Sequence, residues 1–178
     1  YNLAHIPGKS HIKTLRALII KRRVISTYCV KSYLCQKNTT MYPIEIVQPM
    51  KNDLTSVGFN ELTTAAAVDH AIENSKGTMV MVVNSVCGCA ARNMRPGVKK
   101  SLEHSVVPNE LYTVFAGFDT EATNQARKYF LPYPPSSPSI AVFHNGALVH
   151  FLERHHIEGA TAGMISDNLK AAYDEYCK

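Results

Sequence analysis

The chain has 178 residues, with 19 Lys/Arg against 14 Asp/Glu, five cysteines and no tryptophan. That length favours one domain with a substantial core, and the ordinary balance of apolar and charged residues excludes disordered, collagen-like and disulfide-stapled classes. The formal net charge of +5 is no nucleic-acid signature: eight basic and no acidic residues lie in 1–40, which leaves 41–178 at −3.

Residues 1–40 open at Tyr1, mix KSHIKTLRALIIKRRV with YCVKSYLCQKNTT and keep no helical or strand period. They read as a basic N-terminal extension outside the fold, upstream sequence ahead of a start at Met41; a targeting peptide and an authentic appendage are the competing readings. Cys29 and Cys35 fall there as incidental thiols. No apolar run approaches the roughly 20 residues that span a bilayer.

From Met41 onward the texture changes. PIEIVQPMKNDLTSVGFNEL spaces its apolar residues for a short helix that stops at Gly58, followed by loop. Thr64 caps a second helix over TAAAVDHAIENSKG, with Ala66, Val68, Ala71 and Ile72 on one side and Gly77 past its end. TMVMVVNSV is a continuous β-branched apolar run of strand length, as expected of a central strand buried on both faces. Cys87-Gly88-Cys89 follows it at once. AARNMRPGVKKSLEHSV then reads as a helix with Pro96 in its interior or at a kink.

LYTVFAGFD is a second buried strand and TEATNQARKYF a helix opened by an Asp or Thr cap. LPYPPSSPS breaks regular structure with four prolines. IAVFH and ALVHFLE flank Asn145-Gly146, the strongest short hairpin signal, and ATAGMISDNLKAAYDEYC closes the chain as an amphipathic helix. A βαβ unit followed by an antiparallel pair and a helix is the thioredoxin-like arrangement. The expected fold is therefore α/β, a central mixed four-stranded sheet flanked by helices, spanning residues 41–178.

This topology puts Cys87 and Cys89 where a strand ends and a helix begins. Unpaired N–H groups and the positive end of the helix dipole favour an anion there, and a thiolate is such an anion. Arg92 and Arg95 in the following turns either add to this effect or point to solvent. An odd number of cysteines with two separated by one residue does not read as a secreted disulfide framework, so a reducing, cytoplasmic setting is expected. A disulfide across Cys-Gly-Cys closes a small ring; Gly88 is the residue best able to adopt unusual backbone angles, and a strained disulfide is readily reduced. Cys87, nearest the strand end, is the expected nucleophile and Cys89 the resolving thiol. In thioredoxin-like folds the turn before the third strand carries a cis-proline beside the cysteines, leaving extended backbone for substrate; Pro138, after Ser137, stands at that place.

MYPIEIVQPMKNDLTSVGFNELTT, VVNSVCGCAARNMRPGV, FAGFDTEATNQARKYF, PPSSPSIAVFHNG and the RHHIEG stretch together resemble the bacilliredoxins. The resemblance covers about residues 41–178. It implies removal of bacillithiol from mixed disulfides on oxidised proteins, with Cys87 attacking the bacillithiol sulfur and Gly88, Ser137 and Pro138 meeting the substrate. Bacillithiol is then a thiol substrate, no cofactor or metal is called for, and the partners are oxidised proteins rather than nucleic acid or membrane. Disulfide isomerase activity is the alternative. A metal-binding or redox-sensing role for the same pair is the other, with His155 and His156 completing a ligand set, although one CxC supplies only two of the four ligands zinc usually takes. Cys177 reads as incidental.

Overall fold

The structure, a computed structural model, describes residues 41–177. Cys29, Cys35 and the reading of 1–40 as an extension lie outside the described residues.

Helix α1 (Ile44–Thr55) leads into a two-residue strand β1 (Asn60–Glu61), helix α2 (Ala65–Glu73) and strand β2 (Thr78–Asn84). After the cysteines a π-helical turn (Ala90–Met94) runs directly into α3 (Arg95–Ser101). Strand β3 (Glu110–Phe115), α4 (Thr120–Lys128), the hairpin β4 (Ser139–His144) and β5 (Ala147–Leu152), α5 (Arg154–Glu158) and α6 (Ala162–Tyr176) complete the order.

The strands lie in the order β1-β3-β2-β4-β5, with β1, β3 and β2 parallel and β4 and β5 antiparallel. The architecture is thioredoxin-like and α/β, with five strands rather than the expected four. The extra strand is the segment read as loop after Gly58. Asn60 and Glu61 pair with Tyr112 and Thr113 at the sheet edge, and Glu61 is held to the buried Lys51 of α1 at 3.0 Å.

All seven residues of β2 are buried, and the pleat explains why the run carries no polar alternation. Val80 and Val82 face a core with Leu54, Met94, Val98, Ile165, Leu169 and Tyr173, whereas Met79, Met81 and Val83 face Val68, Ile72, Ala122 and Ala126. The sheet is therefore covered on both sides, by α1, α3 and α6 on one and by α2 and α4 on the other.

Local signals act where the sequence puts them. The Thr64 hydroxyl accepts the Ala67 N–H at 3.2 Å, and the hairpin turns on Asn145 and Gly146, both at positive φ. Pro96 lies, as expected, inside a helical run, continuous from residue 88 to 101, and the π-helical turn immediately before it is the local irregularity that accommodates its missing N–H. Gly97 is needed for close approach: a β-carbon there would lie 2.8 Å from Cβ of Ile165 and 3.0 Å from the Ala162 carbonyl. No helix among the described residues is long and apolar enough to cross a membrane.

Candidate active site

Strand β2 delivers the chain to the site through a turn that a buried arginine ties down. Asn84 is fully buried at the strand end, its amide donating to the Met50 carbonyl at 3.0 Å and its side-chain oxygen accepting the Ser85 N–H at 2.8 Å. Arg95, only 5 % exposed, donates from Nη1 to that same Asn84 oxygen at 3.1 Å and to the Ser85 carbonyl at 3.2 Å. Its Nε reaches Asp53 at 3.0 Å, and Lys99 meets the other oxygen of Asp53 at 3.4 Å. A buried guanidinium needs such a full set of partners. Of the two arginines the sequence singles out, Arg95 therefore braces the turn from beneath, while Arg92 is exposed.

Cys87 stands at the start of the helical segment. Its carbonyl accepts the Ala90 and Ala91 N–H groups at 3.1 and 3.2 Å, and its sulfur accepts Ala90 N–H at 3.4 Å and the Ser85 hydroxyl at 3.3 Å. Two donors aimed at one sulfur lower the free energy of its anionic form relative to the thiol. Cys87 is bonded to Cys89 in a disulfide, and both are half-buried. Gly88 between them is exposed, does not have positive φ, and faces open space where a β-carbon would sit. The expectation that Gly88 supplies an unusual backbone conformation is thus not met: the backbone there is helical, and what glycine leaves is an uncovered approach.

The disulfide opens on a cleft of about 320 Å³ whose other walls are Arg92, Asn93, Arg154 and Glu158. Asn93 donates to the Ile157 carbonyl at 3.1 Å and so ties the cysteine-bearing helix to α5. Arg154 donates to both Glu158 oxygens, at 3.2 and 3.4 Å, and to the Ser137 carbonyl at 3.3 Å. That guanidinium holds the Glu158 carboxyl below the usual carboxylate range, and the carboxylate in turn raises the arginine.

The Ser137–Pro138 bond is cis and leads straight into β4, whose first residue, Ser139, pairs with Val83. Pro138 is therefore at the end of the sheet where Cys87 emerges, buried, with Ser137 half-buried before it. A second cis bond, Leu131–Pro132, has no counterpart in the sequence reading. Ser137 reaches the cleft through its bond to Arg154 rather than by lining it. His155 and His156 do not join the cysteines: they gather with Glu153, their ligand atoms within 4.8 Å of one another. His156 and Glu153 also close a reciprocal capping box at the start of α5.

Sequence reasoning assigns no chemistry to Ser85, Asn93, Arg154 or Glu158. The i,i+4 spacing of Arg154 and Glu158 within RHHIEG is a readable pairing signal. Nothing local marks Asn93, whose partner lies on a distant helix.

A thioredoxin-like sheet that presents a cysteine pair at a helix start defines a thiol–disulfide oxidoreductase. The comparisons with known proteins sharpen that class. Residues 42–177 match the family described as Disulphide isomerase. A bacilliredoxin of Cytophaga hutchinsonii is 62% identical over 135 residues, which cover 76% of this chain and 99% of that protein. One from Koribacter versatilis is 50% identical over 137 residues, 77% of this chain and 94% of that protein. Among solved structures, oxidised mitochondrial thioredoxin 3 of Saccharomyces cerevisiae superimposes with a TM-score of 0.47 at 15% identity, over 69% of this chain and 98% of that one. The chain belongs to the bacilliredoxin family.

Proposed function

We propose that the protein removes bacillithiol from mixed disulfides on oxidised proteins, with Cys87 as the attacking thiolate and Cys89 as the resolving thiol. The observation that carries this reading is the double donation to the Cys87 sulfur, from Ser85 and from Ala90 N–H, beside a second thiol within bonding reach. Bacillithiol as the substrate is what the resemblance to the bacilliredoxins implies, and the relatives named bacilliredoxin support that reading.

Cys87 attacks the bacillithiol sulfur: a new S–S bond forms, the bond to the client protein breaks, and the client sulfur leaves as a thiolate that takes a proton. Cys89 then attacks the Cys87 sulfur, expels bacillithiol and closes the Cys87–Cys89 disulfide. Two reducing equivalents from an external thiol return the pair to the dithiol. No cofactor enters, and bacillithiol is substrate throughout. Gly88 leaves the sulfurs open to a client, and Ser137 and Pro138 form the neighbouring backbone against which it rests. A reducing cytoplasm suits this cycle.

The family description favours a second reading, reshuffling of disulfides in misoxidised proteins. Mass spectrometry after incubation with a bacillithiol-modified protein separates the two. Transfer to Cys87 that persists in Cys89→Ser and disappears in Cys87→Ser is the expected result. No transfer, with refolding of a scrambled disulfide protein instead, replaces de-bacillithiolation with isomerisation.

A further inference from the structure

The cleft beside the disulfide is sorted by charge. Among the described residues Glu158 is its one acidic wall, and Arg154 already engages both of that carboxylate's oxygens. Arg154 is itself fixed by the Ser137 carbonyl, and its helix by Asn93 through the Ile157 carbonyl. Arg92, the other basic wall, forms no ion pair among the described residues and is exposed. The neutralised pair and the lone guanidinium leave the cleft with one uncompensated positive charge next to the reacting sulfurs.

We propose that Arg92 is a specificity-determining residue that selects low-molecular-weight thiols bearing a carboxylate, and that Arg154 holds Glu158 so that its charge does not cancel the selection. This rests on exchange at Cys87 and names the chemical class of thiol that the site accepts. The geometry separates two jobs. Ser85 and the Ala90 N–H act on the Cys87 sulfur, whereas Arg92 acts on the part of the small thiol that lies in the cleft. A charge pair at contact distance in water is worth about 1 kcal/mol, or roughly fivefold in rate, and it weakens as salt shortens the screening length.

The test uses the full chain carrying Cys89→Ser, reduced, and three symmetric disulfides of similar size: of 3-mercaptopropionate, 2-mercaptoethanol and cysteamine. In each reaction the Cys87 thiolate attacks one sulfur, the probe's S–S bond breaks, and one probe thiol leaves while the other stays on Cys87. Adduct formation at Cys87 is followed by peptide mass spectrometry. Each rate is divided by that of the same probe with N-acetylcysteine amide, a small neutral thiol, so that leaving-group differences cancel. The normalised anionic-to-cationic ratio should exceed one, fall at least about fivefold in Arg92→Gln because the anionic probe loses an attraction while the cationic one loses a repulsion, rise in Glu158→Gln, and shrink towards one in about 1 M salt. A ratio equal in all three proteins, with the neutral probe still reacting at Cys87, overturns the selection and leaves the exchange reading standing. Failure of every probe to modify Cys87 overturns the exchange reading, and the selection with it.

Discussion

The hydroxyl of Ser85 points at the sulfur of Cys87 across 3.3 Å, two residues away along a turn that has left the sheet but not yet entered the helix. The donor comes from the strand side and Ala90 N–H from the helix side, so the sulfur is held between the two elements that meet at the site. Ser85→Ala removes one of the two donors without disturbing the helix. Alkylation of reduced Cys87 by iodoacetamide at neutral pH should slow by about three- to tenfold, the worth of roughly one hydrogen bond, while unfolding by urea stays close to wild type. An unchanged alkylation rate would assign the activation of the sulfur to the helix start alone.

Arg95→Leu attacks the same turn from below. It strips a partner from the buried Asn84 side chain, the Ser85 carbonyl and the Asp53 carboxylate. Asp53 is half-exposed and rehydrates, so the loss falls mainly on the two buried acceptors: about 2–4 kcal/mol in urea unfolding. The variant that still folds should also alkylate Cys87 more slowly, since Ser85 is no longer held at its carbonyl. Wild-type stability would mean that water replaces the guanidinium without cost.

Gly97→Ala tests how the helix after the cysteines is seated. Its new methyl meets Ile165 at the β-carbon, which a rotamer change cannot move away, and the Ala162 backbone behind it. Helices α3 and α6 must part, at about 1–3 kcal/mol and a thermal midpoint several degrees lower. The gain in helix propensity from Gly to Ala works in the opposite direction and is smaller. A midpoint equal to or above wild type sinks this account of the packing.

The pH dependence of stability should carry a signature from the contact between α2 and the residue after α4. The Tyr129 hydroxyl donates to Asp69 at 2.7 Å, and Gln125 donates to the same oxygen at 2.5 Å. These bonds hold the Asp69 carboxyl below its ordinary range, and donation to that carboxylate pushes the Tyr129 phenol up to about 12. The Asp69 contribution is present above the unfolded carboxylate pKa near 4 and is lost as pH falls through the lowered folded value. The Tyr129 contribution is present below the unfolded phenol pKa near 10 and is lost as pH rises through about 12. The stability gap between wild type and Tyr129→Phe, measured by urea unfolding, should therefore be widest between about pH 5 and 10 and narrow on both flanks. A gap independent of pH would remove the phenol–carboxylate bond as its source.

What the sequence disclosed, it disclosed through local chemistry. Cys87, Cys89 and Gly88 announce themselves by type and spacing, the apolar run from Thr78 to Asn84 by length, and Pro138 by its place before a strand. What it concealed depends on partners far along the chain. Asn60 and Glu61 carry no strand pattern and become a strand only because the edge of β3 is free to pair with them. Arg95 reads either as a charge favouring the thiolate or as a solvent-facing residue until Asn84, Ser85 and Asp53 are seen to converge on it. The i,i+4 spacing of Arg154 and Glu158 discloses their pairing but not their place, since only the return of the chain through β5 brings that five-residue helix to the cysteines.

The two walls of the cleft hang from supports of different strength. The cysteines follow β2, which is bonded along its length to β3 on one side and β4 on the other. Arg154 and Glu158 follow β5, the last strand of the sheet, which pairs on one side only. That margin is instead braced across the opening, where Asn93 fastens α5 to the cysteine-bearing segment and Arg154 reaches the Ser137 carbonyl. Substitutions at Arg154 and Glu158 alter the charge that an entering thiol meets beside Arg92 without touching the Ser85 and Ala90 donors on the Cys87 sulfur, so that preference and reactivity rest on different residues.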